Sequence, residues 1–274
     1  MQMKSSTLNI KQNGGVTYIT FPRLEATGAV RHLFSTRIGG VSEGQFASMN
    51  TNFAYDKREA VEENYRRLCG AVGIDTKNLV LSHQTHTNNV KTVGKSDCGT
   101  GYSKPSFCDI DGLITNESGV ALVTQYADCV PLLFCDPVRH VCATSHAGWH
   151  GTASKIGEVT VEKMVKEFGS RREDIVAAIG PAICSTCYEV DTPVYEAFLA
   201  SGINLDSIFF PKGDGVHFNL DLKRANLNIL LSCGILRENI DVADLCTCCN
   251  SEMLHSHRAT GGKRGNLAAI IELI

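Results

Sequence analysis

Three polar segments carry the side chains best suited to chemistry in this chain of 274 residues. One contains His86, a second joins Asp128 to Cys129, and a third places His146 just before Gly148. Each adjoins an apolar stretch typical of a β-strand, and strand ends gather at the edges of sheets. Two imidazoles and a thiolate suit zinc and leave a fourth coordination position for water or substrate. Because no two of these residues form a closely spaced ligand pair, a purely structural role for the histidines stays open.

Two further groups among the 12 cysteines offer metal ligands. Cys184 and Cys187 form a C-x-x-C pair, and Cys246, Cys248 and Cys249 follow one another closely near the end of the chain. Together they offer a structural zinc site with four cysteine ligands, while a redox pair or simple packing are the alternatives. Most other cysteines lie in apolar runs, which is typical of buried side chains.

Two segments have the composition of anion-binding loops. Ser35 and Arg37 precede a Gly39-Gly40 turn, and the run 258–265 is basic and rich in glycine. Exposed backbone N–H groups next to arginine or lysine suit phosphate. A solvated surface loop is the alternative for both segments.

Apolar strands and amphipathic helices alternate along the chain, which predicts an α/β protein with mixed sheets covered by helices. No linker or repeat interrupts the pattern, so we expect one domain over residues 1–274, built from two packed subdomains. The predicted strands lie within 16–21, 29–36, 78–93 (two strands), 108–116, 119–137 (two strands), 140–149, 174–183, 241–247 and 265–274. The predicted helices are 56–72, 151–169, 191–201 and 221–233.

The overall composition excludes several classes of protein. The net charge is −3 with 20% charged residues, so no basic face for nucleic acid is expected. No run approaches the roughly 18 apolar residues of a membrane span. The first 15 residues are polar and lack the apolar region of a signal peptide, so we expect a cytoplasmic protein. Motifs of cytidine deaminases, P-loops and the G-x-S-x-G elbow are also missing.

Seven ordered segments resemble one known family, the YfiH/YlmD-type laccase-domain proteins, formerly described as polyphenol oxidases. The A-D-C-x-P and H-A-G-W pieces are the most specific, and the matches run through most of the chain. The segments are FSTRIGGVSEGQFASMN, HQTHTNNV, DIDGLIT, TQYADCVPLLFCDP, SHAGWHGT, AIGPAICSTCYEV and HSHRATGGKRGNLAAI.

The resemblance implies a YfiH-like fold, similar to that of cytotoxic necrotizing factor. It also implies a zinc-dependent purine nucleoside phosphorylase with adenosine deaminase activity. Adenosine, inosine, guanosine and methylthioadenosine would be candidate substrates together with phosphate, in a monomer or weak homodimer. The alternatives are a copper-dependent, laccase-like polyphenol oxidase, a non-enzymatic zinc-binding module, and a cysteine hydrolase with Cys129 as nucleophile.

The resemblance also assigns roles to individual residues. Zinc would be held by His86, Cys129 and His146, of which the last two also count as catalytic, with Asp128 beside them as general acid and base. Ser35, Arg37 and Arg258 would bind substrate or phosphate. One departure is His150, where the family commonly has arginine or lysine. Because an imidazole is only partly charged near neutral pH, we expect phosphorolysis to be weaker relative to deamination.

Overall fold

The computed structural model describes residues 4–274, so the first three residues of the polar N-terminal stretch lie outside the described part. Strands and helices alternate along the chain, as the apolar pattern predicts. The strands are β1 Asn9–Asn13, β2 Val16–Thr20, β3 Val30–Ser35, β4 Leu79–His83, β5 Val90–Thr92, β6 Phe107–Cys108, β7 Gly112–Thr115, β8 Ala121–Tyr126, β9 Val130–Asp136, β10 Val141–Ala147, β11 Val176–Ile179, β12 Glu189–Asp191, β13 Phe209–Pro211, β14 His217–Leu220, β15 Ile240–Val242 and β16 Leu267–Leu273. The α-helices are α1 Pro22–Ala26, α2 Arg58–Val72, α3 Trp149–Ala153, α4 Ile156–Phe168, α5 Thr192–Ala200, α6 Leu222–Ser232 and α7 His257–Thr260.

Two large mixed sheets form the centre of the molecule. One has seven strands in the order β1-β2-β3-β16-β8-β4-β6, and the other has six in the order β15-β11-β9-β10-β7-β5. A small third sheet has the order β12-β14-β13. The expected α/β class with mixed sheets and helical cover is thus present.

The two large sheets pack face to face, and helices cover their outer faces. Alternate residues of β9 show this directly: Leu132 and Phe134 belong to the core beneath α4 and α6, whereas Leu133 and Cys135 belong to the core between the sheets. Helix α2 covers the outer face of the seven-stranded sheet through Leu68 and its neighbours. With both faces covered, β9, β10 and β16 are buried along their whole length, which explains why apolar residues predominate in them.

Several details differ from the prediction, among them β1, α1 and α7, for which no element was predicted. The helix predicted over 151–169 is divided into α3 and α4 at Lys155, whose φ of 58° does not fit a helix. The late strand is shorter than 241–247 and ends at Val242. The sequence analysis did not predict the third sheet, whose strands of three and four residues are too short for a clear alternating pattern.

Sheet topology brings the three polar segments together. In the antiparallel pair β9–β10, His146 lies opposite Pro131, two residues after Cys129. Strand β4 runs parallel to β8, so the segment with His86 after β4 and the turn with Cys129 after β8 leave the sheet at the same edge. Among the helices of residues 4–274, none is long and apolar enough to cross a membrane.

Candidate active site

His86, Cys129 and His146 form a compact cluster at this edge. One potential ligand atom from each lies within 4.8 Å of the others, and Cys129 Sγ is 4.0 Å from His86 Nε2. The two imidazole rings meet nearly edge to face with their centroids 4.9 Å apart. His146 is buried and His86 is exposed, so the cluster opens toward solvent on the His86 side. One thiolate and two imidazoles form a donor set that zinc and copper both accept.

The carboxylate of Asp111 holds the side chain of His146 and the backbone around His86 in position. Its carboxylate is fully buried, and Oδ1 lies 2.8 Å from His146 Nδ1. The same oxygen accepts the His86 N–H, while Oδ2 accepts the Thr85 N–H and both the N–H and hydroxyl of Thr87. Binding of His146 through Nδ1 leaves its Nε2 for a metal, an arrangement typical of metal-binding histidines. One carboxylate therefore orients His146 and the turn that carries His86.

The charges of these groups depend strongly on one another. Burial raises the pKa of the Asp111 carboxyl, but its bonds to His146 and Thr87 outweigh this effect and bring the pKa to about 2. Burial likewise raises the pKa of the Cys129 thiol, yet the charge of His146 and hydrogen bonds from both imidazoles lower it to about 6. Since the thiolate is the form of cysteine that binds metals, Cys129 is prepared for that role near neutral pH.

Gly148 allows the chain to pass close to the cluster. A Cβ atom at this position would lie 2.8 Å from Cδ2 of His86 and 3.2 Å from Sγ of Cys129. The backbone of Gly148 is extended, with φ −69° and ψ −179°, so the space around the cluster is what excludes a side chain. Trp149 follows at the start of α3, where its half-buried indole packs against the core and also lines an adjacent cavity.

The cluster lies in the wall of a cavity of about 880 Å³, a size typical of small-molecule sites. Histidines, arginines and aromatic rings share its lining, so it offers both charged groups and flat apolar surfaces. Besides the cluster, the lining includes Asp128, Trp149, His150, Tyr188, Arg258 and Arg264.

Asp128 connects the turn of Cys129 to two later segments of the chain. Oδ1 accepts a hydrogen bond of 2.6 Å from the Thr247 hydroxyl, and Oδ2 accepts one of 2.7 Å from the Arg258 backbone N–H. The residue is 8% exposed and has a φ of 91°, a conformation that non-glycine residues rarely adopt. Each carboxylate oxygen keeps a second lone pair, so the group can still accept a proton from the cavity.

Two arginines reach the cavity. Arg258 donates from Nη1 to the Cys187 carbonyl and from Nη2 to the Glu189 carbonyl, and its guanidinium stacks over the Tyr188 ring. Arg264 is half-buried, and its buried Nε has no hydrogen-bond partner within residues 4–274. A buried N–H of a charged group without a partner costs free energy.

Ser35 and Arg37 do not line the cavity. The Ser35 hydroxyl accepts the Ala268 N–H inside the seven-stranded sheet. The Arg37 guanidinium donates to the carbonyls of Ala47 and Ser251, so it connects loops. Both side chains have structural partners, and among the residues expected to bind phosphate only Arg258 reaches the cavity.

The sequence analysis assigned no role to Asp111 or Arg264. Asp111 was visible as one of the acidic residues that precede strand β7, but nothing in the sequence indicated that it contacts His146, 35 positions later. Arg264 lies inside the basic, glycine-rich run 258–265 that was singled out for anion binding. Its burial and free Nε distinguish it only in the folded chain.

Comparisons with known proteins agree over most of the chain. Residues 31–274 match the family described as multi-copper polyphenol oxidoreductase laccase. The chain is 37% identical over 241 residues to the purine nucleoside phosphorylase YlmD of Bacillus subtilis, covering 87% of this chain and 86% of that protein. It is 31% identical over 237 residues to the adenosine deaminase RL5 of an unknown prokaryotic organism, covering 85% of this chain and 90% of the relative.

A solved structure gives the same result for the fold. The crystal structure of the Bacillus licheniformis protein YfiH superposes with a TM-score of 0.91 at 32% identity, covering 97% of this chain and 99% of that one. Fold, sequence relatives and family model all point the same way, and the chain therefore belongs to the YfiH/YlmD-type laccase-domain family.

Proposed function

We propose that this protein is a zinc-dependent purine nucleoside phosphorylase that also deaminates adenosine. The observation that carries the proposal is the His86, Cys129 and His146 cluster, which opens onto a cavity of about 880 Å³. Relatives named purine nucleoside phosphorylase and adenosine deaminase, which align with 87% and 85% of the chain, support an enzyme that processes nucleosides.

The geometry of this cluster favours zinc binding over a purely structural role for the two histidines. The donor atoms lie within 4.8 Å of one another, Asp111 orients His146 in the manner of a metal ligand, and Gly148 leaves the space beside the cluster free. Three protein ligands with an open side are typical of catalytic zinc. When bound, zinc would supply a Lewis acid that activates water and polarises the substrate.

The other residues of the cavity would bind and orient the two substrates. Arg264 lines the cavity, so we propose that Arg264 contacts phosphate, with Arg258 as a second cation nearby. Trp149 and Tyr188 provide aromatic surface against which a purine base can pack. The substrates would then be held with the reacting atoms next to the cluster, which is a large part of catalysis.

Asp128 would transfer protons in this arrangement. It adjoins Cys129, lines the cavity and keeps lone pairs free beyond its bonds to Thr247 and Arg258. In deamination the carboxylate would take a proton from the attacking water and return it to the leaving amine. In phosphorolysis the protein mainly positions phosphate and stabilises charge while the purine departs.

His150 bears on the balance between the two activities. Its side chain is exposed at the cavity, at the position where the family commonly has arginine or lysine. If a permanent cation there assists phosphate, His150→Arg should raise phosphorolysis relative to deamination. An unchanged ratio of the two products in this variant would exclude this role.

Copper is the second candidate metal, because two imidazoles and a thiolate also occur in copper sites. Oxidation of phenols with several coppers needs additional histidine clusters. Residues 4–274 contain two groups of three or more closely spaced ligand side chains. The second of these groups consists of cysteines alone. This composition favours zinc. Oxygen uptake with a phenol by copper-loaded protein would favour the oxidase.

The decisive experiment is chromatography of adenosine incubated with protein of known zinc content, with and without phosphate. Adenine and ribose 1-phosphate are expected only when phosphate is present, and inosine is expected in both cases. Cys129→Ala should abolish both products. Cys98→Ala serves as the matched control, because Cys98 lies outside the cavity and its removal should leave both activities intact.

If the zinc-loaded protein forms no product from adenosine, inosine, guanosine or methylthioadenosine, the proposed function is wrong. Product formation that survives in Cys129→Ala would instead reject the role assigned to the cluster. A zinc content that is unchanged in this variant, with activity lost, would favour Cys129 as a nucleophile.

A further inference from the structure

A second group of thiols lies outside the cavity lining, between the segment after β11 and the segment after β15. Cys184, Cys187, Cys246 and Cys249 place their Sγ atoms within 4.8 Å of one another. Cys187 and Cys249 are 3.5 Å apart, and Cys184 and Cys249 are 3.9 Å apart. Zinc–sulfur bonds of about 2.3 Å give a tetrahedron with edges of about 3.8 Å. The four sulfur atoms are therefore close to the vertices that such an ion requires.

Two of these sulfur atoms lie within hydrogen-bond distance of neighbouring donors. The N–H groups of Cys184 and Cys249 donate to Sγ of Cys246 at 3.2 and 3.4 Å, and the Thr186 hydroxyl lies 3.1 Å from Sγ of Cys184. Hydrogen bonds to a sulfur favour its charged form, which is the form that binds metals. Both halves of the group are C-x-x-C pairs, the spacing common in structural zinc sites.

A cation next to the group would partly balance its charge. Lys223 is half-buried and donates from Nζ to the carbonyls of Ala243 and Leu245, directly before Cys246. A zinc ion with four thiolates carries an excess of two negative charges, and a nearby ammonium stabilises such an excess. Cys248, by contrast, is not part of the group.

We propose that Cys184, Cys187, Cys246 and Cys249 bind a second zinc ion, with a structural role. Four protein ligands complete the tetrahedron and leave no position for substrate, unlike the three-ligand cluster in the cavity. This proposal does not rest on the proposed function, because it requires only the thiols and their geometry.

The second zinc would hold one wall of the cavity. It would join two segments that are 62 residues apart at Cys187 and Cys249. Thr247, between the ligands of one pair, donates its hydroxyl to Asp128, and Arg258 donates to the carbonyl of Cys187. Both contacts connect the cysteine group to residues that line the cavity. An ion bound by the cysteines would therefore hold Asp128 and Arg258 in position without itself lying in the cavity.

The test uses the full chain with the cavity cluster disabled by His86→Ala and Cys129→Ala together. This double variant, purified with zinc present, should retain one zinc per chain by mass spectrometry of the metal. Adding Cys187→Ser should remove it, whereas adding Cys248→Ser, the matched control, should not. Replacing zinc by cobalt in the double variant should give the intense thiolate charge-transfer and tetrahedral ligand-field bands of a four-sulfur site.

Either of two results would overturn the proposal. One is a double variant that holds no zinc although it was purified with zinc present. The other is a peptide map with a disulfide between members of the group. The cobalt spectrum requires no change at the four cysteines, so it decides the question even if Cys187→Ser does not fold. If the double variant retains its zinc but the unmodified protein fails the nucleoside assay, only the proposed function is rejected.

Discussion

Replacing Gly148 by alanine tests the geometry of the cavity cluster with a single methyl group. The new Cβ would lie 2.8 Å from Cδ2 of His86 and 3.2 Å from Sγ of Cys129, closer than the roughly 3.5–4.0 Å of a favourable carbon contact. The backbone itself accepts alanine, since φ is −69° and ψ is −179°. The strain therefore falls on the two side chains, and His86, being exposed, is the one free to move.

The size of the effect follows from these contacts. Moving a ligand out of position by a fraction of an ångström resembles the loss of a supporting contact, which typically weakens metal binding about 10- to 100-fold. This corresponds to roughly 1.4–2.7 kcal/mol of binding free energy. Global stability should change by less than about 1 kcal/mol, because the entropic gain of alanine over glycine offsets its poorer fit at the helix N-cap.

The assay is zinc release to a chromophoric chelator, together with thermal unfolding and the nucleoside assay. Gly70→Ala is the control, because Gly70 lies inside α2 and a Cβ there meets no atom within 4 Å. That variant should gain about 0.5–1 kcal/mol of stability and keep its zinc. If Gly148→Ala binds zinc at the cavity cluster as tightly as the unmodified protein, His86 is not a ligand in the position described.

Three further predictions concern buried ionisable side chains. Asp111→Asn should weaken zinc binding about 10- to 100-fold in the same chelator assay by removing the carboxylate that orients His146, and unchanged affinity would contradict this role. Asp128→Asn should lower kcat about 10²- to 10⁴-fold at unchanged zinc content if it transfers protons, whereas a rise in KM alone would indicate a positioning role. Burial lowers the pKa of His32 to about 4 and, together with the charge of Arg37, that of His255 to about 3. The unfolded chain then takes up protons first as pH falls below about 6.5, so urea unfolding should show ~2 kcal/mol less stability per histidine at pH 5 than at pH 7. His32→Gln should reduce that loss, and an equal loss in this variant would refute the assignment to His32.

Much of the fold could be predicted because the strands in the two large sheets are buried on both faces. That burial gives β8, β9, β10 and β16 mainly apolar sequences that stand out without any tertiary information. The division of the helix at Lys155 and the short third sheet left no comparable pattern. Helical periodicity continues across the break, and strands of three residues are too short to show alternation.

The candidate site, like the fold, could be predicted from the sequence only in part. Residue types and motif order were enough to select His86, Cys129 and His146 and to indicate the family. They could not decide whether Ser35 and Arg37 line the cavity, because the direction of a side chain depends on strand register, and the Ser35 hydroxyl in fact bonds within a sheet.

What the sequence by itself determined was the set of chemical groups and the strands that hold them. Only the tertiary structure decided which groups meet. The Asp111 contact to His146 spans 35 positions, and the contact between Cys187 and Cys249 spans 62. Such contacts are set by the pairing of distant strands and the packing of two sheets, and no local period in a single sequence carries that information.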